Sequence, residues 1–220
     1  MKKTAVLAAY FGSPDTESMD LLEAALAEAF PGCPVRRAFL SRRFPAVDSV
    51  EQALIRLQAF DHVLVQAMLV STGPSYAQLL ERCPALPIGP PLLASPDACA
   101  AAVANWLPKP LLLMGHGAPD SDLTEFAAHL PDHVYFAVME GKPGLDSVLP
   151  QLAGRQLHLA PFLLTAGTHA ARDLAAWKTR LEAAGCRVKC HTATLAHCPG
   201  IPAIFAQHLQ SCSSGGSLCL

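Results

Sequence analysis

The chain has little charge and few aromatic rings: Asp, Glu, Lys and Arg make up 15% of its 220 residues, and Phe, Trp and Tyr 6%. There is no basic run and the formal net charge is −2, which removes the electrostatic footprint of nucleic-acid binding. No stretch reaches the ~20 apolar residues that cross a bilayer, so the sequence predicts a soluble chain with no membrane partner. The turns Phe11-Gly12-Ser13 and Ser71-Thr72-Gly73 lack the spacing of a phosphate-binding loop. Apolar residues, by contrast, are abundant, at 51% of the sequence. That is enough to bury a substantial core and to exclude a disordered chain. A small-molecule partner is the remaining expectation.

The opening MKKTAVLAAYFGS has the lysines of a secretory leader, but its apolar stretch is short and carries no clear cleavage site. It aligns with Leu111 to Gly117 inside the chain and reads as a first strand. Eight cysteines show no disulfide spacing, which points to reduced thiols and the cytoplasm. Cys186, Cys190, His191, His197 and Cys198 cluster in sequence, and thiolate with imidazole there is chemically able to hold a metal. The spacing matches no established signature.

Short apolar runs alternate with amphipathic stretches, the pattern of an α/β protein whose parallel sheets are covered on both faces. Strands are predicted at Thr4 to Tyr10, Val35 to Leu40, His62 to Met68, Leu111 to Met114, Val134 to Met139, Leu157 to Leu163 and Arg187 to His191. Helices are predicted at Met19 to Phe30, Ser49 to Leu57, from Ser75, and at Pro96 to Trp106, Asp122 to His129, Leu145 to Leu152, Ala170 to Ala184 and Ile201 to Leu209. Proline-rich breaks at 86–91 and 108–110 suggest an N-terminal domain over 1–107 and a C-terminal one over 108–210. A serine- and glycine-rich tail over 211–220 is expected to fray.

The chain also repeats itself. Val63 to Leu80, VLVQAMLVSTGPSYAQLL, resembles Leu157 to Leu174, LHLAPFLLTAGTHAARDL, with Gly73 on Gly167. At the ends of matching apolar runs the first copy has Phe11, Ser41 and Ser75, and the second has His116, Glu140 and His169. Ligands of open parallel sheets bind beyond the carboxyl ends of the strands. Two imidazoles and a carboxylate at three such ends suit a divalent first-row ion and leave coordination positions open for exchange. The three are therefore predicted as metal ligands, with His116 and His169 also as proton acceptors and Glu140 as a proton relay.

MGHG at Met114 to Gly117, the short strand ending in Glu140, and AGTHA at Ala166 to Ala170 resemble the class II tetrapyrrole chelatases, most of all the anaerobic sirohydrochlorin cobaltochelatases of cobalamin biosynthesis. AAYFGS at Ala8 to Ser13, RAFLSR at Arg37 to Arg42 and VQAMLVSTGPSY at Val65 to Tyr76 resemble that family's segments in the same order, so the similarity covers roughly Lys2 to Leu209. It implies two flavodoxin-like domains, related by duplication, around a cleft that takes the macrocycle. His116, Glu140 and His169 would hold the metal, and the last helix would pack back on the first domain. It also implies a lyase-type chelatase that takes Co²⁺ and sirohydrochlorin as substrates and needs no organic cofactor, while a homo-oligomer stays open.

The eight carboxylates of such a substrate call for cations. Arg37, Arg42, Arg43 and Arg172 are the candidates, with Tyr10, Phe11, Ser75 and Tyr76 as further substrate contacts. The segment 170–177 lacks an acidic stretch that the family usually places before its tryptophan, and Leu195 to Gly200 replaces a glycine-rich loop. Metal identity is therefore open: Fe²⁺ and Ni²⁺ are alternatives for the same chemistry. A non-catalytic metal or tetrapyrrole carrier built on the Cys186 to Cys198 cluster is the alternative of another class.

Overall fold

The computed structural model describes residues 2–44, 48–167 and 170–214. Contacts group Met1–Ser95 with Gly200–Leu220 as one unit and Pro96–Pro199 as a second, so residue 108 lies inside the second unit.

In the first unit, β1 (Thr4–Tyr10), β2 (Val35–Phe39), β3 (His62–Met68) and the two-residue β4 (Ile88–Gly89) form a parallel sheet ordered β2-β1-β3-β4. β1 is continuously apolar because helices cover both its faces: Ala5 to Ala9 are fully buried. The helices are α1 (Thr16–Ala29), α2 (Val50–Arg56), α3 (Pro74–Arg82) and, from the chain's end, α8 (Ile201–Ser214). Asp15 caps α1 by accepting from the Ser18 amide at 3.1 Å, which starts the helix three residues before the predicted Met19. Met19, Leu22 and Leu26 then face the core.

α8 packs on α1, β3 and β4 through Ile201, Ile204, Phe205 and Leu209. It runs to Ser214, so the frayed tail predicted from Ser211 is corrected over its first four residues. Seryl side chains bond back to the helix at Gln207 and Gln210, and the Cys212 thiol donates to the Ile88 carbonyl. The rest of that tail, 215–220, lies outside the described residues.

His208 fastens this helix. Its Nδ1–H donates to the Pro90 carbonyl at 3.1 Å, which leaves Nε2 to accept from the Ser95 hydroxyl at 2.8 Å. Burial pushes the imidazole pKa down, with the Pro90 bond opposing, so folding favours the neutral ring. The stabilisation is complete above the unfolded pKa of about 6.5 and is lost as pH falls through the lower folded value. Thermal midpoints between pH 7.5 and 5.5 should therefore fall further for the wild type than for His208→Gln; an identical fall would remove His208 as the cause.

The second unit repeats the plan. β5 (Leu111–Asp122), β6 (Val134–Lys142), β7 (Gln156–Pro161) and β8 (Arg187–Cys190) pair in parallel in the order β6-β5-β7-β8, with α4 (Pro96–Ala104), α5 (Thr124–His129), α6 (Leu145–Leu152) and α7 (Ala170–Ala183). One face buries Leu112, Met114, Leu157 and Leu159 against Leu174, Trp177 and Leu181 of α7 and Val148 and Leu152 of α6. The other stacks Phe126, Phe136 and Phe162, with ring centroids 5.1–5.2 Å apart.

The duplication extends to strand register. In the first sheet Ala8 stands between Arg37 and Gln66, and in the second Leu113 stands between Phe136 and Ala160. Counting on from these triplets matches Phe11 with His116, Ser41 with Glu140 and Ser75 with His169.

Candidate functional site

His116 and Glu140 do not lie in loops after their strands, as the sequence suggested. β5 and β6 run on past the expected ends and carry both residues on paired backbone: Gly115 stands opposite Val138, and Gly117 opposite Glu140. Glycine permits the extension. Gly117 has φ +71, and a Cβ there would meet the Glu140 carbonyl and the Val138 side chain, so only glycine lets the two backbones approach. Beyond it the register shifts. The turn is tied by the Ala118 amide donating to Ser121 Oγ and the Ser121 hydroxyl donating to the Ala118 carbonyl, each at 2.9 Å.

Both side chains are exposed. His116 Nδ1 lies 3.1 Å from the Gly117 carbonyl oxygen, and since a carbonyl only accepts, Nδ1 carries the proton. In the neutral ring, Nε2 is then the nitrogen that offers a lone pair to a metal or a proton. His169 lies outside the described residues. Among the described residues, no group of three or more His, Cys, Asp or Glu is placed to hold a metal ion.

In the first unit, Phe11 is 53% exposed and lines, with Pro74, Ser75, Gln78 and Glu81, a shallow hollow of about 320 Å³. Phe11 and Ser75 are thus brought together. Tyr10 is not a surface contact. It is 2% exposed, its hydroxyl donates to the Met19 carbonyl at 3.3 Å, and burial, with Glu23 nearby, pushes its pKa well up. Tyr76 is half-buried on α3, its ring against the first core. Arg37 is committed to Glu23 and Asp20, both at 2.6 Å. Those two acids sit three apart on α1, a spacing that in the sequence already marks one helix face. Arg42 and Arg43 are exposed in the turn after β2, and Arg172 is exposed beside Asp173 at 3.6 Å.

The cysteine–histidine run does not gather. The Cys186 thiol is buried and donates to the Leu152 carbonyl at 3.2 Å, and Cys198 is buried with its thiol pKa pushed up to about 12 by desolvation. Cys190 is exposed, and His197 bonds Thr194 at 3.2 Å. A thiolate carrier loses its basis, because these side chains do not form a group that could hold a metal ion among the described residues. His191 instead meets His158, a residue the sequence reading passed over. Strand alternation was the available signal, since His158 is the half-buried polar position between the buried Leu157 and Leu159 of β7.

The cobalt chelatase (CbiK) family matches residues 4–214. A sirohydrochlorin cobaltochelatase of Nitratidesulfovibrio vulgaris is 32% identical, covering 97% of this chain and 92% of its own. A sirohydrochlorin cobaltochelatase of Salmonella typhimurium is 28% identical, covering 94% and 96%. Among solved structures, SirB from Bacillus subtilis with Fe³⁺ aligns at a TM-score of 0.68 over 98% of both chains, at 18% identity, which speaks for the fold alone. No helix among the described residues is long and apolar enough to cross a membrane. A match spanning nearly the whole sequence, joined by a relative 32% identical over 97% of it, makes this chain a member of the cobalt chelatase (CbiK) family.

Proposed function

We infer that the chain inserts Co²⁺ into sirohydrochlorin, the reaction for which both curated relatives are named. His116, Glu140 and His169 would hold the incoming ion. The observation that carries this reading is local. His116 and Glu140 stand on adjacent strand ends at the register positions filled by Phe11 and Ser41 in the sister sheet, so an imidazole and a carboxylate occupy places where the same fold is built elsewhere with a phenyl ring and a hydroxyl.

The chemistry fits the residues. Insertion exchanges the ion for two pyrrolic protons: the ring gives up two N–H protons, and the metal gives up water and protein ligands. Neutral imidazole can release the ion and then take a proton near neutral pH, and a carboxylate beside it can hold the metal or pass a proton on. The Gly117 bond to Nδ1 presets His116 with Nε2 available. Coordination by a few N and O donors, without thiolate, keeps the hold weak enough for transfer. Reduced thiols favour the cytoplasm as the setting.

The test uses purified protein with sirohydrochlorin and Co²⁺, Fe²⁺ or Ni²⁺ in parallel. The ring absorption should change much faster with protein than without, and fastest for Co²⁺. A Co²⁺ rate equal to the protein-free rate would sink the enzymatic reading; a faster Fe²⁺ or Ni²⁺ rate would overturn the choice of metal.

A further inference from the structure

We propose that His158 and His191 form a second metal site on the edge of the second sheet, taking a divalent, imidazole-preferring first-row ion such as Ni²⁺. The proposal does not depend on the chelatase reading. Leu111 pairs with His158, and His116 lies five residues further along β5, about 16 Å away at the rise of a strand.

The strands aim both rings at one point. His158 stands opposite Lys189 in the β7–β8 ladder, and His191 follows β8 with its amide donating to the Leu159 carbonyl at 2.8 Å. His158 Nδ1 and His191 Nε2 face each other at 2.7 Å, with the rings within 21° of parallel and their centroids 5.0 Å apart. One proton lies between the two nitrogens, donated by one ring and accepted by the other. Moving it to the far nitrogen of its own ring leaves two lone pairs facing each other end to end. Two imidazole nitrogens bound side by side to one ion, each at about 2.1 Å, are about 3 Å apart, so capture requires the gap to open by a few tenths of an ångström and each ring to swing by roughly 45° until its lone pair points at the ion.

Burial lowers the pKa of both imidazoles; Lys189 adds to this at each, and His158 also acts on His191. Both rings are therefore neutral near pH 7, and no proton must leave before an ion binds. Both are half-buried rather than sealed, and β8 is the edge strand, so water completes the coordination. Cys190 takes no part, since its charged neighbours are Lys178 and Glu182 of α7. The Lys189 ammonium opposes a cation, which makes the site exchangeable rather than structural and gives the proposal a variant of opposite sign.

The experiment is Ni²⁺ titration by calorimetry in the full chain carrying His116→Ala and His169→Ala, so that the proposed substrate ligands are gone. One equivalent of Ni²⁺ should bind, broadening the imidazole nitrogen resonances of His158 and His191. His158→Gln or His191→Gln should each weaken binding by about tenfold or more, since removing even a group that supports a ligand costs that much. Lys189→Gln should tighten it. Unchanged thermal midpoints check the fold of each variant, and His191, outside the strand ladder, is the safer of the two ligand changes. Absence of binding in the His116→Ala, His169→Ala background, or equal affinity with and without His191, overturns the proposal.

Discussion

Replacing His116 by alanine should lower the catalysed insertion of Co²⁺ by about 10²–10⁴-fold, the usual worth of a positioned proton acceptor, and leave the fold intact. His116 is exposed, and its one described bond is to the carbonyl of the next residue. A surface change of this kind typically shifts stability by no more than about 0.5 kcal/mol, so circular dichroism and thermal midpoint should match the wild type. His169→Ala should behave the same way. Glu140→Gln keeps the size of the side chain and removes only its charge and basicity, so a comparable loss there would assign the effect to chemistry rather than packing. Wild-type turnover in His116→Ala would sink the assignment of ligands, whereas unfolding of His169→Ala would give that residue to architecture.

Gly117→Ala should damage activity and stability together. The position has φ +71, which costs a non-glycine residue about 1–3 kcal/mol. The added Cβ would also run into the Glu140 carbonyl. That neighbour is backbone, so the collision is relieved only by parting β5 from β6 where His116 and Glu140 sit. We expect a lower denaturant midpoint and an insertion rate as low as that of Glu140→Gln. Gly144→Ala is the control, because a Cβ there meets nothing within 4 Å. Wild-type stability and rate in Gly117→Ala would mean that close approach of the two strands is not what positions the site.

Much of the architecture was legible because burial on both faces leaves a plain signature. β1 is an apolar run, β7 alternates before turning apolar from Leu159, and α7 shows its inner face at Leu174, Trp177 and Leu181. The repeat was legible too, and the shared register of the two sheets bears it out. β4 was not: two residues between prolines carry no periodicity, and Ile88–Gly89 is a strand only because β3 pairs with it. The ends of β5 and β6 were misplaced for a physical reason as well. Glycine beside His116 and after Glu140 reads as a turn, yet at Gly117 the missing side chain lets pairing continue. Tyr10 was offered as a substrate contact at a strand end, and Arg37 as a cation for the substrate's carboxylates. Their partners Met19, Asp20 and Glu23 come from α1, and local pattern does not report which helix packs over a strand.

The return of α8 to the first unit has a consequence for synthesis. Gln210 hydrogen-bonds to the Ala29 carbonyl across 181 residues of chain, so the ribosome has made everything between them before the earlier unit can be finished. The later unit, contiguous from Pro96 to Pro199, emerges with all its strands in hand. The usual vectorial order, amino-terminal part first, is thereby reversed. A message truncated before the codon for Ile201 would yield a completed second unit attached to an unfinished first one, the kind of product that chaperones and proteases sort.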